Sequence, residues 1–106
     1  MSSFEDREKS FETQFAHDQS LRFRAAARRN KAVALWAAEM KGLTGAAAEK
    51  YAEDFVAAQV GQGDGDVATA LKEDLARGDI DLSDHRIQQK MSEEMADAMV
   101  AIKSGT

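Results

Sequence analysis

Few residues of this chain combine the types and the spacing that chemistry requires. The run that starts at Asp64 begins like a calcium-binding loop, but its twelfth position, where a glutamate ligand belongs, is Leu75. Gly61, Gly63 and Gly65 match part of a dinucleotide-binding loop, yet no predicted strand precedes them. We therefore interpret this glycine-rich stretch as a connecting loop and assign it no ligand.

The remaining candidates for catalysis or metal binding are equally weak. His17 and His85, the only histidines, have no second metal ligand three or four residues later, and the chain has no cysteine. Glu93, Glu94 and Asp97 form an acidic patch that we interpret as a solvated helix face. No serine–histidine–aspartate set and no pair of catalytic carboxylates can be assigned. The sequence thus predicts neither an enzyme nor a metal site.

A basic run is one of two conspicuous features. Residues 21–31 contain five basic residues and no acidic one, whereas residues 32–106 contain 14 acidic and 7 basic residues. A net charge of −5 argues against general nucleic-acid binding. The run is either a solvated, solubilising face or a contact for an acidic partner or a nucleotide phosphate. In the second case the candidate contacts are Arg28, Arg29 and Lys31.

The other feature is a stripe of aromatic residues near the N-terminus. Phe4, Phe11 and Phe15 are spaced i, i+7 and i+11 in an otherwise polar segment. On a helix these three positions fall within about 40° of one another. We call them the phenylalanine stripe. Two interpretations remain open: the stripe extends the first helix and packs on the protein, or the segment folds into a helix only in the groove of a partner.

The elements that must position these residues are helices. Good helix formers dominate the chain, proline is absent, and glycine-containing breaks separate stretches with helical periodicity. The pattern predicts four helices at about residues 18–41, 46–60, 66–77 and 84–103, preceded by a mobile or partly helical segment. Expected helix caps are Thr44 or Gly45, then Asp64 or Asp66, and finally Ser83. The apolar face of the first helix is predicted to comprise Phe23, Ala26, Ala27, Val33, Trp36, Ala37 and Met40.

Four amphipathic helices with short connections can bury their apolar faces only against each other. A chain of 106 residues suits a single all-α domain, here a small four-helix bundle. We predict two parts, an N-terminal partner-binding segment at residues 1–17 and the bundle at residues 18–106. The sequence has no run of 18 apolar residues and no apolar core of a secretory signal, which predicts a cytoplasmic protein without membrane insertion.

Three blocks of residues carry a resemblance to a known family. They are Phe4-Glu5-Asp6-Arg7-Glu8-Lys9, Arg28-Arg29-Asn30-Lys31 with Leu35-Trp36-Ala37-Ala38, and Ser83-Asp84-His85-Arg86-Ile87. Together, in this order and across nearly the whole chain, they resemble the zeta subunit (ATPase inhibitor) family of the alphaproteobacterial F-type ATP synthase.

The resemblance implies a regulatory protein that binds the catalytic sector of the synthase, formed by alpha, beta and gamma subunits. Its N-terminal segment would block ATP hydrolysis, and the implied contact residues are Phe4, Arg7, Glu8, Phe11 and Phe15. A monomer when free, it would sit at the inner membrane only through the synthase. The family's weak ATP or ADP binding would fall on the basic run, and no other cofactor is expected. The alternative is a nucleotide-sensing or non-inhibitory helical module, which a titration with ATP or ADP would distinguish.

Overall fold

The computed structural model describes the backbone of residues 3–105 and the side chains of residues 17–105. The described chain consists of four α-helices and contains no strand: α1 (Ser3–Met40), α2 (Gly45–Gln59), α3 (Asp64–Arg77) and α4 (Asp84–Lys103). The predicted all-α fold with four helices is therefore confirmed. The predicted bounds of α4 are correct, and those of α2 and α3 differ by one or two residues.

The first helix is longer than the periodicity predicted. We expected a start near residue 18, but α1 begins at Ser3 and continues for 38 residues. No proline or glycine occurs between Ser3 and Met40, so nothing in this stretch interrupts the backbone hydrogen bonds of a helix. The helix passes the expected boundary between residues 17 and 18 without a break. The division of the chain into two functional parts stays a prediction.

The long helix is also the centre of the fold. α2 and α4 pack along α1, while α3 packs against α4 and, less extensively, against α1. The apolar residues of α3 recur every four positions at Val67, Leu71 and Leu75, and all three are fully buried. One core joins the four helices, formed by Val33, Ala34, Ala37, Ala52, Phe55, Val67, Leu71, Leu75, Ile87 and Met91.

The buried face of α1 differs from the predicted one in the middle of the helix. Phe23 is 64% exposed, whereas Leu21, Ala25 and Arg29 are buried. α1 is rich in alanine, so small apolar side chains lie on several sides of the helix. Periodicity alone therefore does not identify which side is buried. Leu21 lies beside the C-terminal part of α4 and is covered, while Phe23 lies close to the end of α2 and remains exposed.

The predicted helix caps are confirmed at α4 and wrong at α3. Ser83 caps α4 as predicted, since its Oγ accepts a hydrogen bond from the backbone N–H of Arg86 at 3.1 Å. The predicted aspartate cap of α3 is wrong, because the N-cap residue is Gly63 and makes no side-chain bond. The carboxylate of Asp64, the first residue of α3, instead pairs with Arg29, a partner 35 residues away.

The C-terminus of α3 is capped by Gly78, and the next residue, Asp79, is in the left-handed conformation with φ of 61°. The backbone N–H groups of Asp79 and Ile80 donate to Ala76 O and Leu75 O, both at 3.0 Å, which completes a Schellman-type end. Aspartate is one of the few residues other than glycine that adopts this conformation readily.

Candidate partner-binding site

The predicted partner-binding residues all belong to the N-terminal part of α1. The side chains of Phe4, Arg7, Glu8, Phe11 and Phe15 lie outside the described residues, so their contacts stay a prediction. In the described structure, the surface shared by α1 and the end of α4 reaches toward the N-terminus of α1 as far as Asp18. A groove at the end of α4 is lined by Asp18, Leu21 and Arg22 of α1 together with Met99 and Lys103.

Helix lengths place the start of α1 relative to this groove. α4 ends at Lys103, beside Asp18 to Arg22 of α1. Ser3 precedes Asp18 by fifteen residues, which corresponds to about 22 Å along the axis of an α-helix. The stretch that carries the phenylalanine stripe is therefore continuous in backbone with the part of α1 that is fixed in the bundle.

The basic run is divided between the interior and the surface. Arg29 is only 2% exposed, and its guanidinium donates to Asp64 Oδ1 at 2.8 Å and to Asn30 Oδ1 at 3.0 and 3.1 Å. Arg28 and Lys31 are exposed, and the Lys31 ammonium lies 3.8 Å from a carboxylate oxygen of Glu49. The three predicted contacts thus do not converge on one surface of the helix.

A sequence signal for the burial of Arg29 was present but was not used. The residues four positions before and after it are Ala25 and Val33, and both are fully buried. Residues spaced by four lie on the same side of a helix, so Arg29 belongs to the covered face. Its guanidinium lines a groove of about 480 Å³ between α3 and α4, together with Ala68, Met91, Met95 and other residues.

Two of the sequence blocks that carry the family resemblance meet at the seam between α1 and α4. The guanidinium of Arg86 lies 5.2 Å from the ring centre of Trp36, and the ammonium of Lys90 lies 5.6 Å from it. Both distances are typical of cation–π contacts. Lys90 also pairs with Glu94 at 3.0 Å. The Trp36 and Arg86 blocks, far apart in sequence, therefore form one joint that holds α4 on α1.

A second polar cluster ties three elements together at the C-terminal end of α1. The carboxylate of Asp74 accepts hydrogen bonds from the Tyr51 hydroxyl and from the Lys41 ammonium, the latter at 2.8 Å. Arg77 adds a bond of 3.2 Å, and the Lys41 ammonium also lies 4.7 Å from the centre of the Tyr51 ring. Asp74 thus joins the C-terminal end of α1 to α2 and α3.

The electrostatics of this cluster follow from its geometry. Burial raises the pKa of the Asp74 carboxyl, but the hydrogen bonds from Lys41 and Tyr51 outweigh it, and the net pKa lies below the ordinary 3.8. Burial and the hydrogen bond to Asp74 raise the pKa of the Tyr51 hydroxyl above 10.0. The proton therefore stays on Tyr51, and the carboxylate is charged at neutral pH.

Two kinds of site are absent from the described part of the chain. Among residues 17–105, no group of three histidine, cysteine, aspartate or glutamate residues is arranged to hold a metal ion. No helix in the described chain is both long enough and apolar enough to cross a membrane.

One helix of 38 residues, where the next longest has 20, forms the centre of this all-α fold of four helices. A family model described as ATPase inhibitor subunit zeta matches residues 1–101. The chain therefore belongs to this family of ATPase inhibitor subunits, as its sequence blocks predicted, and the family supports an inhibitory regulatory role. No curated protein and no solved structure matches the chain.

Proposed function

We propose that this protein binds the catalytic sector of the F-type ATP synthase and inhibits ATP hydrolysis through the N-terminal part of α1. Membership in the inhibitor family is the observation that carries this proposal. The partner surface is formed by alpha, beta and gamma subunits of the synthase. The protein is a monomer when free, and it reaches the cytoplasmic side of the inner membrane only as part of the synthase.

The continuity of α1 supports a role for its N-terminal part in inhibition. A single helix runs from Ser3 into the core, where Val33, Ala34 and Ala37 are fully buried. A partner that holds the first residues therefore also holds the bundle, because no flexible linker separates them. A contact that holds the bundle on the catalytic sector would likewise hold the N-terminal part of α1 in place.

The phenylalanine stripe supplies the apolar contact in this proposal. Phe4, Phe11 and Phe15 share one side of a helix by their spacing, and burial of each is worth about 1.5–3 kcal/mol. Arg7 and Glu8 offer charges beside them. An amphipathic helix that places apolar anchors in a groove of its partner is a recurring mode of recognition.

Removal of residues 1–17 tests this proposal. We expect the chain of residues 18–106 to remain folded, because the first buried residue of the described core is Leu21 and Asp18 can cap the shortened helix. We also expect it to lose inhibition, since the proposed contact residues are gone. The measurements are ATP hydrolysis by the purified catalytic sector and thermal unfolding by circular dichroism. Equal inhibition by the folded short chain and the full chain would show that the bundle inhibits.

A further inference from the structure

Two of the three large apolar side chains that are most exposed in the described structure lie side by side. Phe23 of α1 and Val60 at the end of α2 are each 64% exposed, and the third, Val100 of α4, is 67% exposed. Phe23 and Val60 line a notch of about 270 Å³, whose other apolar residues are Ala26, Ala27 and Val56. An exposed aromatic beside a preformed depression is typical of an interaction surface.

Of the two stretches of chain that line this notch, one is basic and the other carries no charge. α1 has no acidic residue between Asp18 and Glu39, and the chain has none between Asp54 and Asp64. The notch lies between these two stretches, although the protein as a whole carries a net charge of −5. Arg22 and Arg24 precede and follow Phe23, and both are exposed. An acidic partner would therefore be attracted here, and no carboxylate within these two stretches would repel it.

We infer that the notch is a second docking surface of this protein, which takes an apolar side chain from an acidic amphipathic helix of its partner. Phe23 is the anchor, Val60 forms the opposite wall, and Arg24 pairs with partner carboxylates. That this partner helix belongs to the catalytic sector rests on the proposed function.

The position of the notch on α1 fits such a two-part contact. Phe23 follows Phe15 by eight residues, or about 12 Å along the helix axis. A partner that holds the phenylalanine stripe can therefore reach Phe23 without any change in the bundle. Two linked contacts bind more tightly than either alone, because the second forms at a high local concentration.

The structure provides matched controls for a binding experiment. The full chain would be tested against immobilised catalytic sector as wild type, Phe23→Ser, Val60→Ser and Val100→Ser. We expect Phe23→Ser to weaken binding by about tenfold or more and Val60→Ser by several-fold, since anchors in a pocket dominate an interface. The equally exposed Val100 lies on α4, outside the notch, so Val100→Ser should bind like the wild type.

A second pair of variants tests the charge. Arg24→Gln and Lys50→Gln each remove one positive charge from an exposed helix position. We expect Arg24→Gln alone to weaken binding several-fold, and the difference to shrink at high salt because screening weakens contacts between exposed charges. Equal binding by wild type, Phe23→Ser and Arg24→Gln would overturn the inference while leaving the proposed function intact.

A measurement without the catalytic sector separates the two proposals. Amide spectra of the full chain would be recorded during titration with an 18-residue peptide of glutamate and leucine, designed as an amphipathic helix. Shifts at Phe23, Ala27 and Val56 to Gln62 are expected in the wild type and not in Phe23→Ser. Failure of the wild type to bind the catalytic sector, with these shifts present, would contradict the proposed function alone. Absence of shifts, or self-association that Phe23→Ser abolishes, would contradict the notch.

Discussion

Replacement of Phe4, Phe11 and Phe15 together by alanine is expected to abolish inhibition of ATP hydrolysis at concentrations where the wild type inhibits fully. Each buried phenylalanine contributes about 1.5–3 kcal/mol, and every 1.4 kcal/mol corresponds to about tenfold in affinity. The triple variant should therefore need a concentration at least about 10³-fold higher for half-inhibition. The measurement is a titration of purified catalytic sector with each variant during steady ATP hydrolysis.

The same segment offers a matched control. Glu5, Lys9 and Thr13 are spaced by four residues, and their positions lie about 100–180° around a helix from Phe4. Replacement of these three by alanine removes one charge of each sign, so the net charge is unchanged. We expect this variant to inhibit within a few-fold of the wild type. If the two triple variants inhibit equally, the phenylalanine stripe is not the contact.

The second large effect concerns the stability of the bundle and its dependence on pH. Asp74→Ala should lower the free energy of unfolding at pH 7 by about 1–3 kcal/mol, because the Tyr51 hydroxyl and the Lys41 ammonium lose their shared acceptor. This loss corresponds to a fall of roughly 4–20 °C in melting temperature for a domain of this size. Urea unfolding, followed by the fluorescence of Trp36, the only tryptophan, gives the free energy directly.

The pH dependence of this loss has a definite sign. The pKa of Asp74 is lower in the folded protein than its ordinary value of 3.8. The carboxylate therefore stabilises the folded state fully above about pH 4, and this contribution is lost as the pH falls through the folded pKa. The difference between wild type and Asp74→Ala should accordingly be largest near neutral pH and shrink in acid.

The adjacent residue of α3 is the control for this prediction. Glu73 is exposed, so Glu73→Ala makes the same kind of change without touching the cluster. Surface substitutions of this type usually change stability by no more than about 0.5 kcal/mol. If Asp74→Ala is as stable as Glu73→Ala at pH 7, the cluster contributes nothing to the fold.

The sequence predicted those features of the fold that depend on neighbouring residues. Helix α4 was correct at both ends because Ser83 caps it and Lys103 precedes a glycine-containing end. Spacing by four also places Val67, Leu71 and Leu75 on one face of α3, and all three are buried. Each of these signals acts within one or two helical turns, where periodicity and capping are reliable guides.

Features that depend on distant partners were missed. The basic run with Arg29 was interpreted either as a solvated face or as a contact surface, whereas Arg29 is buried and pairs with Asp64, 35 residues away. The Tyr51–Asp74 hydrogen bond joins residues 23 positions apart, and no local pattern marks it. Phe23 was assigned to the apolar face of α1 by its spacing, yet it lies near the end of α2 and remains exposed. In all three cases the packing of other helices decides the environment of the side chain.

Photo-crosslinking from the N-terminal segment tests the central claim most directly. Phe11 would be replaced by the photoreactive residue benzoylphenylalanine, and the full chain would be irradiated in complex with purified catalytic sector. We predict covalent products with the subunits of that sector, and far fewer from the same residue placed at Asp97, an exposed position of α4. Products that form from position 97 and not from position 11 would contradict the account, because the bundle rather than the N-terminal part of α1 would then be the contact.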